Sequence, residues 1–278
     1  VQKTLKGLLI LLLIGLVGLF AVGCSQKEKG TPTGGTNGAE DENAKPKYTV
    51  AFEATFAPFE FRDEKTGEFT GFDIELIKAI GEVEGFDVEL KEMGFQGIVA
   101  AVKTGNIDIG CSGITIKEDR LKEVDFSIPY YQAGLGIVVR ANETRINGVE
   151  DLKGKRIAVQ IGTTGADFAR TIEGATVIDF DQVTDALMEV KNGGADALVN
   201  DYPVNLYYVN KSPKDYKMVG GILESEYYGI AVRKGNTELL EKINSGLMKL
   251  KENGEYARLY KKWIGVEPPE FLPGEPEA

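Results

Sequence analysis

Histidine is absent from all 278 residues. That removes imidazole-based triads, imidazole general bases and most zinc sites at once. Cysteine occurs twice and tryptophan once, so a disulfide framework is not what holds this chain together. Cys111 falls in a short apolar run and is expected to be a small buried hydrophobe. Positive charge is also scarce: 32 Lys and Arg stand against 43 Asp and Glu, for a net charge of −11. An acidic body argues against nucleic acid as a partner and against direct adsorption on anionic lipid. Long hydrophobic sequence is confined to one run, residues 8–22.

That run follows Lys3 and Lys6 and ends at Ala21-Val22-Gly23-Cys24. It is short for a membrane span and carries the basic flank and small residues of a secretory signal, expected over 1–23. A cysteine directly after small residues resembles the lipobox of bacterial lipoproteins, in which the thiol is lipidated. A single transmembrane anchor is the competing reading. Residues 24–47 are rich in Lys, Glu, Gly, Thr and Pro with almost nothing apolar, and are expected to form a flexible tether. As a coil, its ends would lie roughly 25 Å apart.

From residue 48 strand and helix patterns alternate. The spacing predicts strands over 48–52, 87–91 and 107–111, with helices over 73–83 and 97–103. After Pro129 the pattern restarts: strands over 156–160, 176–180 and 197–199, and helices over 165–171 and 183–191. A further strand is expected over 227–232, and a strongly helical region over 237–263 carries Leu240, Ile243, Leu247 and Leu250 as an apolar stripe. Such alternation implies parallel sheets with helices on both faces. The two runs echo each other: Val102-Lys103-Thr104-Gly105-Asn106-Ile107-Asp108 is matched by Val190-Lys191-Asn192-Gly193-Gly194-Ala195-Asp196. In each, a helix ends at a glycine and an aspartate leads into a short apolar strand. Two related α/β lobes are expected, each offering a loop at a strand's carboxyl end, where ligands of open α/β sheets bind.

One such loop begins Ser112-Gly113-Ile114-Thr115 and runs into an acid-rich helix start carrying Arg120. Glycine lets a ligand approach the backbone, and a forked guanidinium near a helix start suits a carboxylate. The same spacing fits a capped helix whose arginine is solvated. Thr164 lies in the glycine-rich turn Gln160-Ile161-Gly162-Thr163-Thr164-Gly165, whose amides would attract an anion at the helix start. The turn lacks the lysine and spacing of a P-loop. Asp201 is placed to meet an ammonium group, or else to cap a helix that has Pro203 in its first turn. Phe56 and Phe95 stand beside proline or glycine in loop-like contexts, suited to lining a pocket or to a core.

Taken together, Glu53-Ala54-Thr55-Phe56-Ala57-Pro58-Phe59-Glu60, Gly71-Phe72-Asp73, Gly113-Ile114-Thr115-Ile116 with Arg120, Asp125-Phe126-Ser127 with Tyr130-Tyr131, and Tyr260-Lys261-Lys262-Trp263 resemble the family-3 extracellular solute-binding proteins, the amino-acid receptors of bacterial ABC importers. The resemblance runs collinearly over 48–266. It implies an α/β, type II periplasmic-binding-protein fold: two α/β lobes joined by two hinge strands. Lobe 1 would comprise 48–129 and 229–266, the hinge strands 130–134 and 224–228, lobe 2 135–223, and a tail 267–278. By the same resemblance Arg120 would hold the α-carboxylate of an amino acid with the amides of Thr115 and Thr164. Asp201, the Gly113 carbonyl and the Thr115 hydroxyl would hold the α-ammonium, with Ser112 beside them. Phe56 and Phe95 would sandwich the side chain, and Glu53 and Gln160 would select it. The family usually has aspartate at the Glu53 position, and its glutamine-binding members often carry lysine where this chain has Gln160. A polar L-amino acid is therefore expected, glutamine or arginine first, with a basic amino-acid receptor as the alternative to glutamine and a dehydratase-like enzyme on the same fold as a further one. The implied partners are an ABC permease with its ATPase and, through lipidated Cys24, the membrane. No cofactor, metal or nucleic acid is called for, and a monomer is expected.

Overall fold

The computed structural model describes residues 45–270. The expected leader over 1–23, Cys24, almost all of the tether and residues 271–278 of the tail lie outside the described residues. No helix among the described residues is long and apolar enough to cross a membrane.

In chain order the first part contains β1 (Lys47–Phe52), β2 (Thr55–Phe56), β3 (Glu60–Arg62), β4 (Phe69–Thr70), α1 (Phe72–Glu84), β5 (Asp87–Glu92), α2 (Phe95–Thr104), β6 (Ile109–Gly110), α3 (Glu118–Glu123) and β7 (Val124–Phe126). A ten-residue strand, β8 (Tyr131–Arg140), leads to β9 (Arg156–Gln160), α4 (Thr164–Thr171), β10 (Thr176–Phe180), α5 (Val183–Asn192), β11 (Ala197–Asp201), α6 (Tyr202–Lys211) and β12 (Tyr216–Val219). The chain then comes back through β13 (Ser225–Tyr228) and β14 (Ala231–Arg233) and closes with α7 (Thr237–Glu252) and α8 (Glu255–Ile264).

Two sheets result. The first has the order β5-β1-β6-β14-β7; the second has β10-β9-β11-β8-β12, with β13 paired to β8. A three-stranded sheet, β2-β3-β4, stands apart. The echo between the two runs has a structural basis. Gly105 and Gly193 both end a helix with positive φ, at 75° and 82°, a conformation with no steric cost for glycine. Asp108 then accepts the backbone N–H of Thr49 at 2.8 Å, and Asp196 that of Arg156 at 3.0 Å. Each aspartate thereby pins the start of the neighbouring strand.

The sheets are mixed rather than parallel throughout, which corrects the expectation drawn from alternation. β1 is parallel to β5 and β6, and β9 to β10 and β11. β14 runs antiparallel to β6 and β7, and β8 antiparallel to β11 and β12. The reason is connectivity. β8 and β14 are the strands by which the chain enters one sheet from the other, so each starts level with the carboxyl ends of the parallel strands: Leu135 pairs with Asp201, and Ala231 with Gly110. The strand expected over 227–232 is accordingly two strands, split at Gly229-Ile230. The helical region over 237–263 is also two elements, because Gly254 takes φ 81° between them.

Ile77 and Ile80 of α1 pack with Leu239, Ile243, Leu247 and Leu250 of α7, all buried. Fully burying an aliphatic side chain of this size contributes about 1.5–3 kcal/mol, so this seam anchors the C-terminal helices to the first sheet. Leu239, rather than Leu240, is the buried member of the stripe. The residues expected at the site lie at the carboxyl ends of β1 and β6 in the first sheet and of β9 and β11 in the second.

Candidate functional site

From those four strand ends come Glu53, Ser112-Gly113, Gln160 and Asp201. The shared pattern is a short apolar strand that ends in polar residues, so the strand is buried and its last side chains turn into the space between the sheets. Several side chains span that space. Gln160 Nε2 donates to Glu53 at 3.4 Å, Tyr208 Oη to the Thr55 carbonyl at 2.7 Å, and the Tyr228 hydroxyl to Asp201. At the rim Lys117 pairs with Asp167 at 2.7 Å and Lys211 with Glu64 at 2.8 Å.

Arg120 sits on α3 and is 6% exposed. Nη1 donates to the Thr115 carbonyl at 2.9 Å and Nη2 to the Gly162 carbonyl at 3.0 Å. Its guanidinium also lies 5.4 Å from the centre of the Phe95 ring, within range of a cation–π contact. Both hydrogen bonds go to backbone carbonyls rather than to a carboxylate. A buried guanidinium satisfied only by neutral acceptors retains a strong attraction for an anion. Burial lowers its pKa, while Asp119, Asp201 and Glu226 nearby act in the opposite direction. Thr164 is the first residue of α4, with Thr163 as the N-cap accepting from the Ala166 amide. The Thr164 amide is thus one of those that a helix start leaves without an internal partner.

Asp201 occupies the N-cap position of α6, yet makes no capping bond; its carboxylate turns instead to the Tyr228 hydroxyl. Burial raises its pKa, as does Glu226. Glu226, on β13, accepts from the Thr115 hydroxyl at 3.3 Å and also takes a bond from Thr164. It is 7% exposed and raised by burial as well. Sequence reading had treated 226 and 228 only as part of a hinge. Ser225-Glu226-Tyr227-Tyr228 shows no polar–apolar alternation that would have marked them; as a strand, its period of two puts Glu226 and Tyr228 on one face, and that face is the buried one.

Glu53 and Gln160 form the other end. Glu53 accepts from the Thr55 hydroxyl at 2.8 Å, and burial raises its pKa. Gln160 donates to the Asp181 carbonyl at 3.0 Å, leaving its Oε1 buried with no hydrogen-bond partner. A carboxylate beside an unused carbonyl oxygen is a pair of acceptors in search of N–H donors.

Phe56 is buried in β2, while Phe95 is half-buried as the first residue of α2 rather than part of a loop. Gly113 takes φ 53°, and a Cβ there would lie 2.9 Å from Phe56 Cε1. Only glycine lets that ring lie so close to the turn. Ser112 is fully buried, accepting from the Glu53 amide at 3.0 Å and donating to Glu60 at 2.8 Å. The Gly113 amide donates to Asp73 at 2.8 Å. Ser112 and the Gly113 N–H are therefore engaged within the protein, and the carbonyl of Gly113 is the group at this turn suited to an ammonium.

The geometry is a buried cluster in which Arg120 lies near Asp201 and Glu226, the α4 start meets Glu226 through Thr164, and Glu53 with Gln160 forms a second group of acceptors. The model for "Bacterial extracellular solute-binding proteins, family 3" matches residues 48–266. This chain belongs to that family. The ABC transporter glutamine-binding protein GlnH of Bacillus subtilis (strain 168) is 32% identical over 276 residues, covering 92% of this chain and 98% of the relative. Among solved structures, an ancestral arginine-binding protein bound to arginine is 46% identical, with a TM-score of 0.76, covering 79% of this chain and 98% of that one. The same kind of protein bound to glutamine is 46% identical with a TM-score of 0.77, covering 80% and 99%. Family-3 membership and the two-sheet α/β architecture thus agree.

The cluster of raised carboxyls makes a pH prediction. Burial holds Asp73 up at about 6, and Glu53, Glu60, Asp201 and Glu226 are also raised. A group whose folded pKa exceeds its unfolded value stabilises the fold below the unfolded pKa, and that stability is lost as pH rises through the folded pKa. The chain has no histidine to titrate in the same interval. The melting temperature of the ligand-free protein should therefore fall as pH rises from about 5.5 to 8. A flat or rising profile would contradict the burial of this cluster.

Proposed function

We propose that this protein is the amino-acid receptor of an ABC importer and that it prefers L-arginine, with L-glutamine as the weaker ligand. The observation that carries the side-chain choice is the Glu53 carboxylate beside the unpartnered Gln160 Oε1. A guanidinium offers charge and several donors to that pair, an amide offers donors alone, and an acidic side chain would be repelled. Arg120 with the Thr115 and Thr164 amides holds the α-carboxylate. Asp201, the Gly113 carbonyl and the Thr115 hydroxyl hold the α-ammonium, and Phe56 and Phe95 cover the aliphatic stem. The names of the matched relatives, glutamine-binding and arginine-binding, support this range of ligands.

Segments 48–129 plus 229–266 and 135–223 act as two lobes in this reading. They close about 130–134 and 224–228, where Tyr131 pairs with Tyr228 and Gly134 with Ser225. The receptor is a monomer that releases its ligand unchanged to a permease and its ATPase. It is exported by a cleaved leader over 1–23 and held at the membrane by lipidated, palmitate-bearing Cys24, with 24–47 as the tether and 267–278 as a tail. Replacing Cys24 with Ser should move the protein from the membrane fraction to the medium or soluble fraction; unchanged membrane retention would count against the anchor.

Calorimetric titration tests the ligand assignment. Arg120→Ala should weaken arginine binding by about 3–5 kcal/mol, the scale for stranding one member of a buried charged pair. Glu53→Gln should narrow the preference for arginine over glutamine. Wild-type-like affinity in Arg120→Ala, or tightest binding of glutamate, would overturn the assignment, and recovery of a chemically altered ligand would favour an enzyme.

A further inference from the structure

Directly behind the Ser112-Gly113 turn lie two acids that the ligand reading leaves unused. Glu60 of β3 and Asp73 of α1 are both fully buried. Glu60 Oε1 accepts from the Ser112 hydroxyl at 2.8 Å. Asp73 Oδ2 accepts twice, from the Gly113 amide at 2.8 Å and from the Tyr130 hydroxyl at 2.6 Å. The remaining oxygens, Glu60 Oε2 and Asp73 Oδ1, are buried with no other hydrogen-bond partner, and the two side chains are within hydrogen-bonding reach of each other. The other groups facing the pair are Glu53 at the end of β1, Cys111 and Ser112 after β6, Tyr130 ahead of β8 and Asp201 at the end of β11. None of these is a cation.

Counting protons leaves one arrangement that satisfies every atom. With no proton, two carboxylates would be buried together without a counter-charge, which like charges at this range do not tolerate. With two, a second O–H would be set against a neighbourhood that already donates to Asp73. One proton, carried on Glu60 and donated to Asp73, fills both bare oxygens and leaves Asp73 free to accept from Gly113 and Tyr130. We propose that Glu60 and Asp73 share a single proton between Oε2 and Oδ1, and that this bridged pair is the positioning device of the ligand clamp. Through Asp73 it fixes the Gly113 turn beneath Phe56. Through Ser112 Oγ it fixes the Glu53 amide, 3.0 Å away, and so the residue that meets the ligand side chain. The pair touches no ligand; it acts through Gly113 and Glu53, and its functional half rests on the receptor reading above.

The test combines carboxyl 13C NMR on the ligand-free protein with arginine titrations. At pH 7 the wild-type spectrum should contain a neutral side-chain carboxyl signal that is lost in both Glu60→Gln and Asp73→Asn. Each amide variant keeps a hydrogen between the two side chains and should bind arginine within about threefold of wild type. Glu60→Ala, shown folded by circular dichroism, should bind at least tenfold more weakly. Two ionised carboxyls in the wild type would overturn the shared proton. Gln as damaging as Ala, or Ala without effect, would overturn the positioning role. Should Glu60→Ala not fold, the wild-type spectrum and the glutamine variant still decide both points. Absence of any arginine or glutamine binding by the wild type would refute the receptor reading while the NMR result still stood or fell by itself.

Discussion

The arrangement depends on burying several carboxyl groups close together. Glu53, Glu60, Asp73, Asp201 and Glu226 are all raised by burial, and Arg120 is the cation beside Asp201 and Glu226. Burying an ion without a well-placed partner costs several kcal/mol, so such a cluster is under electrostatic tension that protons or a cationic ligand relieve. The architecture exists to hold these groups at that cost. Glu53 and Asp201 stand at strand ends, Asp73 lies at the start of α1, the α1–α7 seam braces one sheet, and Asp108 and Asp196 pin β1 and β9, the strands that lead to Glu53 and Gln160.

In the proposed receptor role, polarity along the site does the recognition. Arg120 and the start of α4 set a positive end, and Glu53 with Gln160 sets an acceptor end. Between them Asp201 is drawn off its capping position by Tyr228, so that helix α6 begins without its side-chain cap. On that proposal the middle and one end would read what all amino acids share, whereas the other end would read the side chain. Glu226 adds a feature of its own: from β13 it meets both Thr115, after β6, and Thr164, at the start of α4.

Much of this was legible before any coordinates. Strict β/α alternation located the strand ends, because ligands of open sheets gather there, and the repeated Gly–x–x–Asp spacing was the trace of two equivalent strand anchors. The residues that converge on the cleft were named from loops and family likeness. What escaped had physical reasons. The antiparallel course of β8 and β14 follows from crossing between sheets, which local periodicity does not encode. Glu226 meets Thr115 across 111 residues of chain, and Ser225-Glu226-Tyr227-Tyr228 carries no polar–apolar alternation to mark it. The Glu60–Asp73 pair sat inside recognised motifs, but two acids thirteen positions apart look solvated until their burial is known.

The central claim is that Glu53, Asp201 and Glu226, whose pKa values burial raises, meet the cationic groups of the ligand, which must lower those values on binding. Titrating arginine by calorimetry at pH 7 in two buffers of different ionisation enthalpy measures the accompanying proton exchange directly. The account predicts net proton release on binding, larger for arginine than for glutamine. Binding with no proton change, or with proton uptake, would contradict it.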